Sequence, residues 1–225
     1  MSVEEILGFV TGAACVWLAV RQNVWTFPVG LANNVVFLVL FTGAGLYANA
    51  GLQVVYLVLG ALGWYWWLRG GADRGRLVVH RTPRAAWVVG LVAAAATTAA
   101  LVAVLTTWTD SAVPFWDALT TSSSLLAQTM LGRKWIGNWW VWIATDVVLV
   151  GLYASQGLWL TAALYVGFVA LCVQGLREWS AALRTPRAGA PTDDGAGDGA
   201  GDGAGLAEPG AVGPAPVPDD AEPAR

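Results

Sequence analysis

Seven stretches of this chain are long and apolar enough to approach the span of a bilayer core, which takes about 20 helical residues. They run roughly Val3–Val20, Pro28–Tyr47, Leu52–Leu68, Ala85–Trp108, Val113–Gly132, Asn138–Tyr153 and Leu158–Leu176. Only 12% of the residues are charged, half of the roughly 25% usual in soluble domains. Backbone polar groups in hydrocarbon must be satisfied within the segment itself, which favours helices. The expectation is an all-α polytopic membrane protein with seven transmembrane helices. The first stretch opens Met1-Ser2-Val3-Glu4-Glu5, acidic where a secretory signal is basic, so it reads as a retained helix.

The net charge of −3 conceals two opposed parts. From Ala188 to Arg225 there are eight acidic residues and one basic. This tail repeats Gly, Ala, Pro and Asp with too little apolar content to bury anything, and reads as disordered. Asp194, Asp198 and Asp202 are evenly spaced, but the glycines between them fit no calcium loop. Ahead of the tail the chain is basic, and its Lys and Arg cluster in alternate loops. Arg21 follows the first stretch; Arg69, Arg74, Arg76, Arg81 and Arg84 flank the loop after the third. Arg133 and Lys134 follow the fifth, and Arg177, Arg184 and Arg187 the seventh. Basic loops stay cytoplasmic, so the N-terminus is expected outside and the C-terminus inside.

The chain also repeats weakly. Leu46-Tyr47-Ala48 with Gly51 matches Leu152-Tyr153-Ala154 with Gly157, as if each triplet closed a span before a glycine turn. Helices one to three and five to seven then form two bundles in parallel orientation, joined by a lone connector. The implied divisions are residues 1–68, 69–112, 113–183 and the tail 184–225. Parallel repeats are a known transporter plan with the site between halves.

Polar residues inside spans are costly and usually face a cavity. Trp139, Trp142 and Asp146 share one helix face, as do Gln53, Tyr56, Gly60 and Trp67, with Trp64 beside them. Asp117, Thr121, Ser124 and Gln128 form a third stripe, and Asn33 and Asn34 lie in the second stretch. Asp117 reads as an outer-end residue, and Ser122 and Ser123 as small residues for helix packing. Trp25, Trp108, Trp140 and Trp179 read as interfacial indoles. Cys15 and Cys172 read as small apolar residues. The single His80, and the lack of hydrolase, zinc or nucleotide-loop motifs, give no basis for a catalytic site, a metal, a cofactor or nucleic-acid binding.

Four quoted segments, "NVWTFPVGLANN", "LYANAGLQVVYLVLGALGWYWW", "SLLAQTMLGRK" and "NWWVWIATDVVLVGLYASQGLWLTAALY", resemble the PnuC family of bacterial vitamin transporters. The most specific part is Asn138, Trp139, Trp142 and Asp146, seen together with Leu46, Tyr47, Leu52 and Gln53. The resemblance implies a three-plus-one-plus-three fold similar to SWEET sugar carriers, set in a bacterial cell membrane and open to homo-oligomer formation. It implies facilitated uptake of nicotinamide riboside, an NAD precursor, trapped inside by a cytoplasmic kinase. Relatives carry riboflavin or thiamine. Indoles attract a desolvated pyridinium, a carboxylate balances it, and amides suit ribose hydroxyls. The expected binding residues are Asn33, Gln53, Tyr56, Trp64, Trp67, Thr121, Gln128, Asn138, Trp139, Trp142 and Asp146. With no Lys or Arg in a span, a phosphate finds no partner there. An intramembrane enzyme or a vitamin-binding sensor are the rival classes.

Overall fold

The protein is described by a computed structural model covering residues 3–43, 45, 47–108 and 113–184. Leu46, Asp110 and the acidic tail lie outside the described residues. Seven α-helices follow in order: α1 (Val3–Val20), α2 (Thr26–Gly43), α3 (Tyr47–Arg69), α4 (Arg84–Trp108), α5 (Pro114–Gly132), α6 (Asn138–Ser155) and α7 (Trp159–Arg184). A 3-10 turn, Ala72–Arg74, lies in the α3–α4 loop. Among the described residues there is no strand, only a single bridge between His80 and Trp135. Four helices are long and apolar enough to cross a membrane: Thr26–Gly43, Asn49–Arg69, Arg84–Trp108 and Trp159–Arg184. Among the rest, α5 and α6 are of span length but carry polar residues on their inner faces. Val39, Val58, Val88, Val92 and Val147 are exposed on the outside, a surface suited to lipid rather than water.

The helices pair as α1 with α2, α2 with α3, α5 with α6 and α6 with α7, while α4 packs on α5. The halves meet where α3 contacts α5 and α7 contacts α1. Exchanging α1 with α5 and α3 with α7 turns one of these contacts into the other, as a two-fold axis between parallel halves requires.

The register of the repeat differs from the sequence reading. Tyr47 opens α3 rather than closing α2, and Gly51 lies inside α3, whereas Tyr153 is near the end of α6. The glycines that turn the chain are Gly45 at φ 73° and Gly157 at φ 74°, a conformation that costs glycine least. Their separation in sequence recurs throughout. It links the starts of α2 and α6, their ends at Gly43 and Ser155, and the starts of α3 and α7. It also links Gln22 (φ 52°) to Lys134 (φ 51°), each two residues beyond the helix before it.

Four aromatic residues at the basic end obey the same separation. Phe27 meets Trp67 edge-to-face at 5.0 Å and 86°, and Trp139 meets Trp179 at 5.3 Å and 88°. Trp67 and Trp179 approach each other across the halves at 6.0 Å. The Trp67 indole N–H donates to the Leu131 carbonyl on α5, and that of Trp179 donates to the Ala19 carbonyl on α1. Gly63 and Gly175 make room: a Cβ would lie 2.6 Å from the Phe27 ring or 2.5 Å from that of Trp139. Trp179 is therefore not interfacial. It is fully buried, because its N–H finds an acceptor inside the bundle, and α7 runs past Leu176 to Arg184 to put it there. Trp25, Trp108 and Trp140 are exposed as expected.

Candidate functional site

A cavity of about 420 Å³ lies between the halves, within the range of small-molecule sites. Its floor is the aromatic layer, through Phe27 and Trp139, near the start of α2 and α6. Its walls come from α1 (Gly12, Cys15, Val16), α2 (Gly30, Asn33, Asn34), α3 (Gln53, Tyr56), α5 (Gln128), α6 (Trp142, Asp146) and α7 (Tyr165, Phe168, Cys172). Among the described residues no Lys or Arg lines it.

Of the eleven residues expected to bind, seven line this cavity: Asn33, Gln53, Tyr56, Gln128, Trp139, Trp142 and Asp146. The other four do not, for separate reasons. Trp67 shares the Tyr56 face but lies three turns nearer the basic end, in the core. Trp64 is 37% exposed, since two i+4 steps from Tyr56 turn it about 80° round the helix. Thr121 shares the Gln128 face but sits two turns farther from the basic end. Asn138 is wholly buried, and its amide donates to the Trp135 carbonyl at 2.7 Å, closing the start of α6.

Asp146 is 5% exposed. Cys172 donates its S–H to the Asp146 Oδ2 at 3.6 Å, a weak interaction for a carboxylate. Among the described residues no Lys or Arg pairs with it; the ion pair joins Arg21 to Glu178 at the basic end. A buried carboxylate held by a thiol is costly unless a cation comes to it. The buried Trp139 Nε1–H has no partner among the described residues. Asn33 donates its amide N–H to the Thr11 hydroxyl. The matching pair in the second half is Thr145, which donates to Ser123 at 2.9 Å. Asn33 thus ties α2 to α1 at the wall, and its neighbour Asn34 occupies the place that Asp146 holds in the other half.

Sequence reasoning noted Asn34 inside the second stretch but left it out of the binding set, and it missed Tyr165, Phe168 and the α1 wall. Tyr165 stacks on Tyr153 at 5.3 Å, and its place inside an apolar span was a usable signal. Gly12, Cys15 and Val16 carry none, being ordinary span residues.

Behind the floor, Lys134 is almost fully buried with its ammonium 4.2 Å from the Trp67 ring centre. Burial, and then the charge of Arg76, lower its pKa from 10.5 to about 8. The α3–α4 loop is fastened alongside. His80 N–H donates to the Lys134 carbonyl and Ile136 N–H to that of His80, both at 3.0 Å.

The model of one family, nicotinamide mononucleotide transporter, matches residues 2–181. The chain belongs to that family. With several apolar helices long enough to span, it is a multi-pass membrane protein of a transporter family. It is 26% identical over 204 residues to the nicotinamide riboside transporter PnuC of Escherichia coli, covering 80% of this chain and 85% of the relative. It is 30% identical over 197 residues to the riboflavin/roseoflavin transporter RibM of Streptomyces davaonensis, covering 86% and 89%. The crystal structure of the vitamin B3 transporter PnuC shares the fold, with a TM-score of 0.59 at 20% identity over 78% of this chain and 80% of that one.

Proposed function

We propose that this member of the family carries nicotinamide riboside across a bacterial plasma membrane by facilitated diffusion. The observation that carries the reading is Asp146, a buried carboxylate without a cationic partner among the described residues, set beside Trp142 and the amides of Gln53, Gln128 and Asn34. A pyridinium between indole and carboxylate is attracted by both. The amides suit a carboxamide and a ribose. A lining without Lys or Arg disfavours the phosphorylated form, so phosphorylation by a cytoplasmic kinase would hold the vitamin inside. The basic end, with Arg21, Arg69, Arg133, Arg177 and Arg184, faces the cytoplasm on this reading. The two halves, residues 1–68 and 113–183, move against each other, and the aromatic floor parts to release the vitamin. No enzymatic step is part of the proposal.

A second reading, riboflavin, is favoured by the higher identity to RibM. An uncharged flavin has no need of Asp146. Calorimetric titration of the purified protein separates the two: nicotinamide riboside is expected to bind far more tightly than riboflavin or nicotinamide mononucleotide. Tighter binding of riboflavin would overturn the assignment.

A further inference from the structure

A second pocket, of about 260 Å³, lies outside the bundle core at the basic end. Its lining includes Trp66, Leu77, His80, Arg81, Arg133 and Trp135 and, among the described residues, no acidic one. Nothing in the transport reading uses it.

Its parts come from separate elements and are held in place. The Arg133 guanidinium lies 4.1 Å from the centre of the Trp66 ring; a guanidinium stacked on an aromatic face keeps N–H groups at its edge to meet an anion. His80 and Arg81 belong to the α3–α4 loop. That loop is tied to the α5–α6 loop by the His80–Trp135 bridge and by Gly137 N–H donating to the Thr82 hydroxyl at 2.8 Å. Leu77 N–H donates to the Trp67 carbonyl at 3.1 Å. Two arginines and a histidine thus line the same space as two tryptophans. Arginine forks match phosphate oxygens in pairs, and indole faces take a flat ring.

We propose that this pocket binds a phosphate ester, either the phosphomonoester of an aromatic nucleoside or the headgroup of an acidic phospholipid. It is the chemical complement of the central cavity, which has a carboxylate and no cation. If the basic end is cytoplasmic, as the proposed transport direction has it, the site faces the compartment where a kinase makes the phosphorylated vitamin. The pocket lies against Trp66 and the 133–135 loop, next to Trp67 and Lys134 of the floor, so an occupant would brace the closed layer and slow further uptake.

The test uses the full chain in nanodiscs of phosphatidylcholine, with or without phosphatidylglycerol, titrated with nicotinamide mononucleotide and, separately, with nicotinamide riboside. If a free phosphomonoester is the ligand, the mononucleotide binds in phosphatidylcholine and loses at least about tenfold in affinity in Arg81→Gln/Arg133→Gln. Arg81→Gln alone shows a smaller loss. If the headgroup is the ligand, phosphatidylglycerol raises the melting temperature of the wild type and not of the double variant. In both cases riboside binding stays unchanged in the variants. Absence of both effects, any mononucleotide binding being then indifferent to both arginines, overturns the proposal. Failure of the riboside to bind the wild type would overturn the transport reading and leave this one standing.

Discussion

The aromatic layer and the cavity above it are built from corresponding positions of the two halves, yet they treat the correspondence differently. In the layer the partners are alike: Phe27 with Trp139, Trp67 with Trp179, Gly63 with Gly175. In the cavity four positions differ: Gly30 stands where the second half has Trp142, Asn34 where it has Asp146, Gln53 where it has Tyr165, and Val16 where it has Gln128, while Tyr56 and Phe168 are both aromatic. Packing two parallel halves poses the same steric problem twice, so one solution serves both. A ligand across the axis has two unlike ends, so its two walls must differ. On the proposed transport reading, symmetry marks the scaffold and its breaking marks the site.

The largest effect is expected where the layer is tightest. Gly63→Val and Gly175→Val each force a side chain into an aromatic ring, and overpacking of this kind costs about 1–3 kcal/mol or more. Thermal unfolding in detergent should show both variants destabilised to a similar extent. Tolerance at one site alone would break the equivalence of the halves.

Next comes the cavity. Trp142→Ala removes an indole that has no counterpart across the axis, and affinity for nicotinamide riboside should fall about five- to thirtyfold. Trp140→Phe, on the exposed face of the same helix, should bind as the wild type does. Equal damage from both in a calorimetric titration would mean the helix face is assigned wrongly.

A smaller effect is expected from the paired indole hydrogen bonds. Trp67→Phe and Trp179→Phe each leave a buried carbonyl short of one donor, at about 1 kcal/mol apiece. Unequal losses of melting temperature would show that one half bears more of the closure.

Smallest is the effect of Lys134. Its folded pKa of about 8 lies below its ordinary 10.5, so between these values the unfolded chain holds the extra proton. Stability of the wild type relative to Lys134→Met should rise as pH climbs through that window. A difference flat with pH would show that the ammonium is not desolvated as described.

Much of this was legible in the sequence because polar residues inside apolar runs are expensive. Trp139, Trp142, Asp146, Gln53, Tyr56 and Gln128 stood out for that reason, and they converge on one cavity. Trp67 was placed with the binding residues because it shares the Tyr56 face, and helix periodicity does not give depth along that face. Trp179 was misread because an indole at a span end looks alike whether its N–H meets a headgroup or a helix carbonyl. Only the acceptor, Ala19, tells the cases apart. The register of the repeat was misread because matching aromatic triplets outweighed the turn glycines, and backbone torsion at Gly45 and Gly157 is what sets it. The wall from α1 carried no signal, since Gly12, Cys15 and Val16 are ordinary span residues. The docking of the α3–α4 loop depends on backbone pairing through His80, which composition does not reveal.

The central claim is that the half-to-half difference at Asn34 and Asp146 selects a cationic vitamin. Titrating wild type and Asp146→Asn with nicotinamide riboside and with its uncharged reduced form tests it most directly. Losing the charge should weaken binding of the cation by roughly ten- to a hundredfold and change binding of the uncharged form little. Equal losses for both forms, or an unchanged affinity for the cation, would contradict the account.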